Sequence, residues 1–170
     1  MKKGFQWIKH AELKKLVKLF CELLRKRIPF LKSIVIFGSI ARGEEKRVSD
    51  LDLILVSDSF PENPSEAINT VVKVFKELKE TAGYKELVKK GYFLNIDPVA
   101  YRPEDLEVFP PLLLDVVEDG ILLYDDGFME IKLKELKERL ERLGAKKIKT
   151  KKGWYWDLKP GSKFGEVIEI

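Results

Sequence analysis

Asp50 and Asp52 stand two residues apart in the stretch DLDLILVS, with leucine between and after them. If this stretch is a strand, alternate residues share a face. The two carboxylates then project side by side, about 6.5–7 Å apart at Cα, while Leu51 and Leu53 turn into a core. Two carboxylates so placed repel, and partial loss of water sharpens the repulsion. A divalent cation between them removes that cost. Mg2+ suits the donor set, because it takes hard oxygen ligands, commonly one or two carboxylates with phosphate oxygens. Two such ions about 3.5–4 Å apart can activate an attacking oxygen and stabilise a leaving one in phosphoryl chemistry. The plainer alternative is an Asx turn and helix cap at Ser49-Asp50, with Asp52 paired to a lysine at a sheet edge.

The residues upstream bear on that choice. Gly38-Ser39 closes the apolar run SIVIF and opens a turn ten residues before the acids. Glycine lets the backbone come close to a ligand. The N–H groups that follow, with the Ser39 hydroxyl, can hold phosphate oxygens at the start of a short helix. Arg42, in the same turn, can add a charged contact to phosphate. A Gly-Ser pair alone is most often just a turn. A buried strand, Gly-Ser, ten residues and then D-x-D in a second strand is a much rarer combination.

The elements that must position these groups follow from periodicity. Residues 7–27 carry apolar side chains at helical spacing, and Pro29 stops the helix. Residues 33–37 read as a short strand buried on both faces. Residues 38–43 form a turn with one helical turn, and residues 50–57 form a second strand. A helix runs from Ser65 to about Thr81, followed by a strand over 92–101. Pro103 opens a helical turn, the stretch PPLLLDVVEDG forms a helix ending at Gly120, and ILLYD forms a strand. Residues 128–143 are a charged amphipathic helix with Gly144 as its cap. The tail alternates around Lys152-Gly153, which predicts a hairpin. The fold class is α/β (α+β): a short mixed sheet with packed helices, divided as residues 1–126 with an added N-terminal helix and a 127–170 helix-hairpin extension.

The stretch GSIARGEEKRVSDLDLILV resembles the minimal nucleotidyltransferases of the DNA polymerase β-like superfamily, many of them archaeal and bacterial. NIDPVAY and PPLLLDVVEDGILLYDD are similar to later segments of that group, so the resemblance covers about residues 32–126. It implies the polymerase β-like fold, with Asp50 and Asp52 binding two Mg2+ ions and Gly38 and Ser39 holding the phosphates of ATP or another nucleoside triphosphate. It implies that the third metal-binding carboxylate is Asp97, which would also activate the acceptor hydroxyl. An acid between Ile96 and Val99 needs a cation or a partner. Pro98 also fits a simple strand-end turn, since proline suits an edge or bulge. Glu104 and Asp105 are alternative third acids, though Pro103 marks them as helix-start residues. The implied reaction is transfer of a nucleoside monophosphate, AMP from ATP, to a hydroxyl. Many members of the group pair with a small helical toxin-like protein from an adjacent gene, which supplies an antitoxin-like binding reading in which catalysis is not needed.

Composition bounds these readings. The chain has 170 residues, 45% of them hydrophobic and 35% charged, enough for one domain with a core and more charge than usual. No apolar run spans a bilayer, and a cytoplasmic protein is expected. One cysteine, Cys21, excludes an internal disulfide, and one histidine, His10, excludes a His-rich zinc site. Cys21 reads as a small core residue and His10 as a surface one. Few amides among abundant Lys and Glu fit a hot source. The net charge of +4 is uneven, with residues 33–128 acidic between basic ends. The basic, aromatic tail around Trp154, Tyr155, Trp156 and Phe164 fits cross-strand packing of rings on lysine stems. It also fits stacking on nucleobases, which keeps an RNA-binding or RNA-tailing reading open, or a homo-oligomer contact.

Overall fold

The computed structural model describes residues 2–44, 48–151, 153–163 and 166–168; the side chains of residues 48 and 49 also lie outside the description. Lys46, Arg47, the hairpin-turn residue Lys152, Phe164 and the Ser49 side chain are therefore not among the described groups. The elements run β1 (Lys2–Lys3), α1 (Ala11–Arg27), β2 (Leu31–Ile36), α2 (Gly38–Arg42), β3 (Val48–Ser57), α3 (Pro64–Glu80), α4 (Ala82–Lys89), β4 (Phe93–Tyr101), α5 (Leu113–Asp119), β5 (Ile121–Asp125), α6 (Phe128–Leu143), β6 (Lys146–Thr150) and β7 (Gly153–Asp157). Short 3-10 turns cover Phe5–Trp7 and Pro103–Leu106.

Five strands form a mixed sheet in the order β1-β5-β2-β3-β4. β2 pairs antiparallel with both β3 and β5, while β3 and β4 run parallel. A parallel pair needs a long crossover, which α3 and α4 provide. The alternation of β3 sorts its side chains between two cores. Leu51, Leu53 and Leu55 face α1, α3 and α4, whose Leu16, Phe20, Val71 and Leu78 complete one cluster. Ile54 and Val56 face the other way, against Leu113 and Val116 of α5 and Met129, Leu133, Leu136 and Leu140 of α6. Helices thus cover both faces, and α6 is part of the second core.

Several local signals act as the sequence predicts. The helix expected from Ser65 is present as α3; it starts one residue earlier at Pro64, and Asn63, which the sequence reading leaves in the loop, caps it by accepting from the Ser65 N–H at 3.0 Å. Gly144 ends α6 in the left-handed region. β6 and β7 form the expected hairpin, with Lys149 opposite Trp154 and Lys147 opposite Trp156. Three features differ from expectation. The first helix begins at Ala11, because a 3-10 turn and the two-residue β1 precede it. Thr81 accepts from the Tyr84 N–H at 3.2 Å and starts α4, a short helix that the sequence reading leaves unassigned and whose one buried residue is Leu87. His10 is half-buried, with its ring edge-on to Tyr92.

Asp125 shows how a strand end and a helix start are joined. Its carboxylate accepts from the N–H groups of Met129 and Glu130 at 3.0 and 3.1 Å, and from the buried Ser33 hydroxyl on β2. One acid satisfies the first-turn donors of α6 and fixes that helix to the sheet.

Candidate active site

On the face that α5 and α6 cover, β3 and β4 become acidic toward their N-terminal ends. Ile54 and Val56 give way to Asp52 and Asp50 along β3, and Val99 gives way to Asp97 along β4. Asp52 lies directly beside Asp97 in the parallel register, and Asp50 beside Asn95. Neighbouring strands are about 4.8 Å apart, so three carboxylates share one small patch of sheet. Asp50 and Asp97 are exposed and Asp52 is half-buried. Pro98 introduces no shift in this register: β4 is the edge of the sheet, where a residue without an N–H is tolerated.

The turn after β2 meets this patch. The Phe37 N–H donates to the Asp52 carbonyl at 3.1 Å, carrying the sheet ladder up to the turn. Gly38 has φ +68°, and a Cβ there would lie 1.9 Å from Asp52 Oδ2. Glycine is therefore required twice, by the left-handed backbone and by the carboxylate against it. Ser39 follows in the first turn of α2. Burial pushes the Asp52 carboxyl above its ordinary value, and the negative charges of Asp97 and Asp50 add to this; Arg42 and the Ser39 N–H pull the other way. A carboxylate held near two others in this manner is stabilised by a cation.

Among the described residues no three His, Cys, Asp or Glu side chains close into a ready-made metal cage. The donor set nonetheless fits Mg2+, which binds through one or two carboxylates and completes its shell with water and phosphate oxygens. Glu104 and Asp105, the alternative third acids, lie in the Pro103–Leu106 turn, where Asp105 accepts from the Arg102 N–H at 2.8 Å and pairs with its guanidinium at 3.2 Å. That is a turn cap.

Arg42 ends α2. Its Nε donates to Glu44 Oε2 at 2.9 Å, and its guanidinium lies 5.2 Å from the Trp154 ring centroid. α2 itself is held at its C-terminus by Lys2, which donates to the Ala41 carbonyl at 2.6 Å, and Lys9, which donates to the Gly43 carbonyl at 2.7 Å. Lys32, close to the turn in sequence, instead bridges Asp58 at 3.1 Å and Asp126 at 3.7 Å. Cys21 is a core residue whose thiol burial pushes up to about 12. Sequence reasoning did not single out Asn95, which only the register brings beside Asp50, nor the contact of Trp154 with Arg42.

The model of the nucleotidyltransferase domain family matches residues 13–124, from α1 through β5. The chain belongs to that family. This nucleotidyltransferase, and so a transferase by family, is similar to two curated proteins of Methanocaldococcus jannaschii, each named as a putative protein adenylyltransferase. One is 28% identical over 127 residues, covering 73% of this chain and 80% of the relative. The other is 30% identical over 86 residues, covering 50% and 82% respectively. Among solved structures, a toxin–antitoxin crystal structure with AMP-PNP aligns with 78% of the nucleotidyltransferase and 91% of that chain, at 21% identity and a TM-score of 0.49. No described helix is long and apolar enough to cross a membrane.

Proposed function

We propose that the protein transfers AMP from ATP to a hydroxyl group on a partner protein, with Mg2+ as the metal. The observation that carries this reading is the adjacency of Asp52 to both Asp97 and Gly38. It joins an acidic, cation-seeking patch to a turn that accepts no side chain. The names of the two Methanocaldococcus relatives support adenylyl transfer to protein as the specific reaction. The edge position of β4 supports a large acceptor, since Asp97 is exposed on the outermost strand of the described sheet.

In this reading Asp50, Asp52 and Asp97 hold the metal, which when bound neutralises triphosphate charge and lowers the barrier to phosphoryl transfer. Gly38 admits the phosphates to the backbone, and the Ser39 hydroxyl and Arg42 contact their oxygens. Asp97 receives the proton of the acceptor hydroxyl. The acceptor oxygen bonds to the α-phosphorus as the bond to the β-phosphate oxygen breaks, and pyrophosphate leaves on the side of α2.

The test is incubation with α-labelled ATP, Mg2+ and the purified product of the neighbouring gene. Label is expected on the acceptor protein, with Asp50→Asn and Asp52→Asn abolishing it. Absence of any Mg2+-dependent ATP binding by the wild-type chain overturns the reading.

A further inference from the structure

We propose that Trp154, on the C-terminal hairpin, is a positioning residue for the nucleotide: its indole holds the Arg42 guanidinium at the end of α2, beside the Gly38-Ser39 turn. The inference rests on the nucleotidyl-transfer reading above and adds a part of the chain that lies beyond the family match, which ends at residue 124.

The indole is itself fixed. Its Nε1–H donates to Asp115 Oδ1 on α5 at 2.8 Å. Lys147 lies 4.9 Å from the ring centroid and is anchored by Glu118 at 3.0 Å and Asp119 at 3.2 Å. The ring is thus tied to α5 from two directions, and it presents a face to Arg42. Glu44 takes the Arg42 Nε, while the two terminal nitrogens have no hydrogen-bond partner among the described residues. A stacked guanidinium with its outer fork uncommitted is suited to bidentate binding of phosphate.

The contact is not simple core packing. Trp154 is 40% exposed and borders an open cavity of about 470 Å³ between the hairpin, α2 and α5, which Lys2, Arg42, Glu44 and Lys149 also line. The ring is therefore only partly buried, and besides its bond to Asp115 it meets two cations, Arg42 and Lys147. Trp156, its neighbour on the same hairpin face, packs into the second core and supplies the hairpin's apolar anchor. Apart from Trp154, the Arg42 guanidinium is held among the described residues by its pairing with Glu44, which is exposed.

The experiment is ATP binding by calorimetry with Mg2+ in wild type, Trp154→Ala, Trp154→Phe, Arg42→Ala and the Trp154→Ala/Arg42→Ala double variant. Trp154→Ala is expected to weaken ATP binding roughly 3–10-fold, the scale of losing one cation–π contact, and Trp154→Phe to recover most of it. In the Arg42→Ala background the Trp154→Ala change is expected to have no further effect, because its action passes through the guanidinium. Equal losses in both backgrounds, or unchanged affinity in Trp154→Ala, overturn the proposal while wild-type ATP binding stands. If the wild type itself binds no ATP with Mg2+, the nucleotidyl-transfer reading fails and takes this inference with it.

Discussion

Replacing Gly38 with alanine tests the contact on which the site is built. The new methyl group would meet a backbone at φ +68° and an Asp52 oxygen 1.9 Å away. The left-handed conformation costs a non-glycine residue about 1–2 kcal/mol. Relief of the overlap forces the Asp52 side chain off its rotamer, for about 0.5–1.5 kcal/mol more. The lower entropy of the unfolded alanine chain returns about 0.4–1 kcal/mol. The net loss is about 2 kcal/mol, equivalent to roughly 4–8 °C in Tm for a chain of this length. Displacing Asp52 from its place beside Asp97 is expected to lower AMP transfer on the order of 100-fold. Calorimetry and label transfer measure the two effects. In an Asp52→Ala background the same glycine change should cost only its backbone strain, about 1 kcal/mol after the chain-entropy return. A Gly38→Ala protein with wild-type Tm and transfer rate, or an equal penalty in both backgrounds, would refute the reasoning.

Other outcomes follow from the same geometry. Burial and the flanking Asp97 and Asp50 raise the Asp52 pKa in the folded chain, so between its unfolded and folded values the native state holds the extra proton and stability falls as pH rises through that window. Metal-free thermal unfolding should therefore show a fall that Asp52→Asn flattens, and Mg2+ should raise Tm at pH 7.5 more than at pH 4; identical slopes for the two proteins would contradict this. Asp125→Ala removes two N–H acceptors of α6 and the partner of buried Ser33, and should cost about 2–3 kcal/mol in urea unfolding; a loss below about 1 kcal/mol would argue against the capping role. Phe30 holds φ +49° at 77% exposure, so Phe30→Asn should stabilise by about 0.5–1 kcal/mol, and a lower Tm would show that its ring contributes more than its exposure implies.

The legible part of this fold is the part written in local pattern. Alternation in DLDLILVS correctly places Leu51 and Leu53 in one core with both aspartates on the opposite face, because strand periodicity is strict. Gly38 and Gly144 mark their turns through backbone demands that few residues meet. Contacts between distant segments left no such mark. Asp97 stands beside Asp52 only through a parallel ladder closed by two helices, one of which, α4, spans only eight residues, little more than two turns. β1 consists of two lysines, and only its pairing with Ile121 and Leu122 makes it a strand. Trp154 meets Asp115 across 39 residues, a contact that nothing in the basic, aromatic tail announces.

The placement of Asp97 on the edge strand of the described sheet bears on the acceptor proposed above. A carboxylate inside a barrel or beneath a lid admits only molecules that diffuse into a closed chamber. Asp97 is exposed instead, which suits a bulky acceptor that presents one residue. The same strand carries Pro98, which has no N–H to offer an incoming strand. It thereby interrupts the continuous backbone template on which uncontrolled self-association grows.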